Sequence, residues 1–128
     1  MKTLRDIWVI WLLTLALFLA LAGSVFAQVL IAVDIDRQSL AWDAPVGGGT
    51  VGEYRVKCGP TSGSYTKITP VPASATSIPV RDAIDGLGAW FCVVTASNQF
   101  GESGSSNEIG FEAGMKPGAP TGLILRGE

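Results

Sequence analysis

The cysteines Cys58 and Cys92 are the only residues here with ready redox chemistry, and the chain has no histidine to activate a nucleophile. That absence removes the Ser–His and Cys–His pairs, the commonest general base and the commonest metal ligand together. The cysteines are also not spaced Cys-x-x-Cys, so a redox-active pair is not expected. Two acidic patterns remain. Asp34 and Asp36 stand two apart, on one face of an extended segment, and Asp43 follows at the end of the next. Calcium wants about six to eight oxygens, usually from more ligand residues than lie near one another here. Asp82 and Asp85 form the other close pair, but a glycosidase needs its two acids across a deep cleft, and a small domain has little room for one. The acids read as solvated turn residues. No catalytic residue, metal or cofactor is expected.

Charge excludes another class. The 128 residues carry a formal charge of −2, and without Lys2, Arg5 and Asp6 the remaining 7 basic and 10 acidic residues give −3. This supplies no dense positive field for phosphates, so a nucleic-acid partner is not expected.

The 48% hydrophobic content is concentrated at the front, where residues 7–33 hold no charged side chain. Lys2 and Arg5 precede an apolar run from Ile7 to Ala22, and Val25 and Ala27 are small residues at the positions a signal peptidase reads. Residues 1–27 therefore read as a secretory signal peptide, cleaved before Gln28. The alternative is an uncleaved N-terminal membrane anchor, the only way this chain would touch a membrane. Either way the remainder lies outside the cytoplasm, secreted, periplasmic or at the cell surface.

Beyond residue 34 the apolar period is two, interrupted by turn residues every eight to twelve positions, which predicts short antiparallel strands and no further helix. Extended segments are expected at 39–42, 54–58, 64–68, 76–80, 90–96 and 107–111, with a short leading strand within 29–36. Pro70 and Pro72 are expected to end the third of these, since proline cannot donate to a ladder. Residues 98–106 read as a polar loop. So many short strands in so few residues pack most economically as two sheets.

These segments carry a family resemblance. Leu40-x-Trp42-x-x-Pro45 resembles strand B of fibronectin type III domains, and Glu53-Tyr54-Arg55-Val56 resembles strand C. Gly59-x-x-Ser62-Gly63-Ser64-Tyr65 is similar to the turn that follows strand C in bacterial members. Residues 90–96 with Asn98, Gly101, Glu102 and Ser103 resemble strand F and its loop, and Ser106-Asn107-Glu108-Ile109 the start of strand G. The resemblance implies an all-β, immunoglobulin-like two-sheet sandwich over residues 28–113, behind the hydrophobic signal or anchor helix. It departs at Trp90, where the family usually has a tyrosine whose hydroxyl ties a corner to the backbone. An indole is not expected to copy that bond, so the corner at 85–88 is expected to differ. Residues 114–128 form a Pro/Gly linker and a strand-like tail, with 117–125 similar to the linker and first strand of a following domain.

With strands C and F antiparallel, as the resemblance implies, 54 pairs with 96, 56 with 94 and 58 with 92, all six facing the core. Opposed residues in such a pair lie within disulfide reach, and the compartment is oxidising, so a Cys58–Cys92 bridge is expected, against two inert buried thiols. The same register turns Phe91 and Val93 outward beside Arg55 and Lys57, with Tyr65 nearby. This would be an apolar patch rimmed by cations and a candidate binding face. The loops at 45–52 and 99–106 are the other candidates. The expected function is that of an exported, non-catalytic module for binding or spacing, its partner a protein or a cell-surface polysaccharide. The alternative is a self-assembling subunit, a homo-oligomer in which 117–125 adds as a strand to a sheet edge, its own or a neighbour's.

Overall fold

The computed structural model describes residues 29–127; the expected leader at 1–27 lies outside the described residues. Among the described residues no helix is long and apolar enough to cross a membrane. The elements are β1 (Ile31–Asp34), β2 (Ser39–Ala41), β3 (Glu53–Gly59), β4 (Lys67–Pro72), β5 (Ser77–Pro79), the single-turn helix α1 (Val80–Ala83), β6 (Gly88–Asn98), β7 (Gly101–Glu102) and β8 (Ile109–Gly114).

They form two sheets. The larger has the order β1-β8-β6-β3-β4, with β7 also on β6, and the smaller is β2-β5 alone. All neighbours are antiparallel except β1, which runs parallel to β8. In β3, burial alternates residue by residue, as a strand with one face on a core requires. Tyr54, Val56 and Cys58 of β3, Trp90 and Cys92 of β6 and Phe111 and Ala113 of β8 meet Leu40 of β2 and Ile78 of β5 in one cluster. Trp42 and Val94 are partly buried against it, and the Trp42 ring stands edge-on to Tyr54 with centroids 5.3 Å apart.

The β3–β6 register is the expected one: Tyr54 faces Ala96, Val56 faces Val94 and Cys58 faces Cys92. The cysteines are bonded, with Cα atoms 4.2 Å apart, so the bridge staples adjacent strands of one sheet.

Four expectations are corrected. Pro70 and Pro72 do not end a strand but lie within β4, an edge strand paired only to β3. Being two apart, both prolines turn their missing N–H toward solvent, where no ladder bond is lost. Val80, expected to continue β5, instead opens α1; it stays buried, because one helical turn folds Val80 and Ala83 onto the same core. The polar loop after β6 contains β7. The tail at 115–127 forms no strand and pairs with no edge of its own sheet.

Trp90 holds its own corner in place. Its indole Nε1–H donates to the Gly86 carbonyl at 2.8 Å, tying the corner to the backbone four residues upstream.

Candidate functional site

The outer face of β3 and β6 is built differently from the expected apolar patch. Val93 does point away from the sandwich core, but it is only 3% exposed. It stands directly opposite Lys57, whose ammonium turns to Glu102 at 2.5 Å. Arg55 pairs with Glu102 at 3.1 Å and with Glu53 at 3.0 Å, and the Thr95 hydroxyl donates to Glu102 at 2.6 Å. Both cations are thus engaged by carboxylates within the chain. Phe91 is half-buried: its ring occupies the space a side chain at position 110 would need, 2.8 Å from where a Cβ would sit, so Gly110 is what lets it lie flat on β8. Tyr65 sits apart, donating to Glu108 at 2.5 Å. Glu108 also accepts from the Ser62 hydroxyl and the Gly63 amide, clamping the turn after β3 to the start of β8. That turn folds tightly over Gly59, where any Cβ would meet the Ser64 carbonyl at 1.9 Å.

The electrostatics follow from these contacts. Lys57 first, then the Thr95 hydroxyl, hold the Glu102 carboxyl at about 2, well below its ordinary 4.5. The Ser62 and Tyr65 hydroxyls lower Glu108, and Glu108 in turn raises the Tyr65 phenol. A carboxyl depressed by folding stabilises the fold above its ordinary pKa and loses that contribution as pH falls through its folded value. Glu102→Gln is therefore expected to unfold at lower urea than the wild type at neutral pH. The gap should close as pH falls from 4.5 to about 2; a gap independent of pH would show that charge plays no part.

Three of the acidic groups named from sequence are engaged within the chain. The Asp34 carboxylate accepts the Asp36 amide at 3.0 Å, Asp36 pairs with Arg81, and Asp85 pairs with Lys67 at 3.0 Å. Among the described residues no three potential metal ligands gather.

The other candidate loops do come together. Gly52 donates its amide to the Ser97 carbonyl at 2.8 Å, and the Asn98 side-chain amide donates to the Thr50 carbonyl at 2.9 Å. Asn98 Oδ1 also accepts the Phe100 amide at 2.8 Å, so one side chain braces both loops. Between them runs a shallow groove of about 290 Å³, with Pro45 and Gly47–Gly49 on one wall and Phe100 and Ser103 on the other. Phe100 is 86% exposed and Val46 fully exposed at the loop tips. An aromatic ring left in water on a braced loop is not required by the core. Sequence reading named these loops but missed Phe100; an aromatic in an otherwise polar, glycine-rich run was the available signal.

Ser103 and Ser106, both within the quoted sequence patterns, have a part there that the patterns did not assign. Their hydroxyls accept the Ala96 and Val94 amides at 2.9 Å each, while their own amides donate to the carbonyls of the same two residues. They close the edge of β6 where β8, which pairs only with residues 88–92, does not reach.

Comparison with protein-family models, with curated proteins and with solved structures finds no match.

Proposed function

We propose that this protein is an exported, non-catalytic binding module of the fibronectin type III kind, and that it recognises a protein partner with the end of the sandwich formed by the loops at 45–52 and 99–106. The observation that carries the reading is Phe100, held in solvent by a loop whose backbone is fixed through Asn98. Rigid loops bearing an exposed aromatic bind at low entropic cost. The family assignment is supported by the order of the sequence patterns, by the five-strand path facing a two-strand sheet and by the Trp90 corner bond. Export is supported by the leader pattern and by the Cys58–Cys92 bridge.

A protein partner is favoured over a polysaccharide because the polar groups a sugar would bond are engaged inside the loops. Asn98 bonds Thr50 and Phe100, and Ser103 bonds Ala96 and Gly104. The surface the groove presents is mainly apolar.

The test is retention on immobilised cell-surface proteins and, separately, on insoluble glycans. Phe100→Ser with Val46→Ser should cut retention on the proteins by about tenfold, the equivalent of about 1.4 kcal/mol. Its urea midpoint should be unchanged, since neither side chain is buried. Glycan retention abolished by the same pair would move the partner class to polysaccharide, and binding indifferent to the pair would remove the loop end from consideration.

A further inference from the structure

The smaller sheet is incomplete on one side. In the β2–β5 ladder the Trp42 amide donates to the Thr76 carbonyl and the Val80 amide to the Gln38 carbonyl, with Leu40 opposite Ile78. Gln38, Leu40 and Trp42 therefore spend their backbone groups on β5, while those of Ser39, Ala41 and Asp43 point the other way. No strand of the described residues lies on that side. The face beneath is uncovered too. Ile109 is in phase with the buried Phe111 and Ala113, so it turns toward the core, yet it is 44% exposed. A groove of about 330 Å³ runs there, from Leu40 and Trp42 across Cys92 and Val94 to Ile109. An open ladder beside an uncovered apolar floor fits one more strand with an apolar side.

The same chain carries such a strand unpaired. Residues 116–120 line an open cleft together with Asp34, Asp36 and Arg37, at the end of β1 and the turn after it. Beyond them Leu123 and Leu125 are fully exposed and Ile124 is 68% exposed. Thr121 to Leu125 has no proline after Pro120 and is as long as the free edge from Ser39 to Asp43. In an extended strand Leu123 and Leu125 share a face.

We infer that the free edge of β2 receives residues 121–125 of a second copy of this chain. Leu123 and Leu125 fill the groove over Ile109, Ile124 faces solvent, and the backbone of Ser39 and Ala41 gains partners. Donor and acceptor are different parts of the chain, so the contact is heterologous and copies add head to tail unless two exchange tails reciprocally. A five-residue strand buries little area, so the association is weak and concentration-dependent. It leaves the loop end of the sandwich free, and stands or falls separately from the partner proposed there.

The test is native mass spectrometry of the full chain in non-ionic detergent, over a concentration series. Wild type should show dimers and larger species. Leu123→Asp with Leu125→Asp should weaken association about a hundredfold, as loss of two buried leucines implies. Ala41→Pro should do the same from the other side, removing an outward N–H while leaving the ladder to β5 intact. If Ala41→Pro fails to fold, Ile109→Lys serves as the acceptor variant. Mixing an acceptor-blocked with a donor-blocked chain should restore a mixed dimer that grows no further. Oligomers that survive both variants overturn the inference. So does a monomeric wild type, and hydrogen exchange protection at 122–125 in that monomer would assign the tail to its own edge.

Discussion

Reducing the Cys58–Cys92 bridge should lower the unfolding free energy by about 3–4 kcal/mol, and the melting temperature by about 15–25 °C for a domain of this size. The bond closes a loop of 34 residues between neighbouring strands. It does not pull the two sheets together; β3 and β6 already hold each other through a seven-residue register. Its effect comes mainly from the unfolded chain, which loses the conformations in which these strands stand apart. Net stabilities of small domains are about 5–15 kcal/mol, so this is a large share. The measurement is urea unfolding of the wild type with and without reductant, beside the double variant Cys58→Ala, Cys92→Ala. Reduction keeps both sulfurs and reads the cross-link alone; the alanine pair adds the cost of two small cavities in a buried position. Equal midpoints for oxidised and reduced wild type would show that the bridge contributes nothing beyond packing.

That pairing was legible in advance because alternation fixes phase. In β3, Tyr54, Val56 and Cys58 share one face, and in β6 Cys92, Val94 and Ala96 do the same, so antiparallel pairing leaves few registers that bury both sets. Exposure on the other face was not legible from the same rule. Val93 points outward as its parity demands, yet it is buried, opposite a Lys57 that bends toward a glutamate 45 positions away in sequence. Parity says which way a residue points; only the third dimension says what lies over it. Pro70 and Pro72 misled for a related reason. Their lack of an N–H forbids one side of a ladder only, and whether that side is needed depends on β4 being an edge. At the loop end, turn residues located both loops, but their meeting rests on Asn98 reaching the Thr50 carbonyl, a contact no local pattern encodes. The free edge of β2 was equally hidden, because β1 could have paired with β2 and pairs with β8 instead.

Trp90→Ala is expected to cost about 3–5 kcal/mol, the range for truncating a large core aromatic, and to rival loss of the disulfide. The residue is buried between Cys92 and the corner at 85–88, opposite Phe111 on β8. Two effects are combined there and can be separated. One is burial of the ring; the other is the part-buried bond from Nε1 to the Gly86 carbonyl, worth about 1 kcal/mol. Trp90→Phe removes the donor and keeps most of the apolar surface, so it should cost about 1–2.5 kcal/mol, part of it the smaller ring. Trp90→Tyr is the informative third member. Its hydroxyl projects from the end of the ring rather than the side, so it regains stability over phenylalanine only if the corner can move to meet it. Urea unfolding with unchanged denaturant dependence ranks the three, and amide exchange at Gly86 to Gly88 reports whether the corner has loosened. A phenylalanine variant as stable as wild type would make the corner bond incidental, and the tryptophan would then be a matter of volume alone.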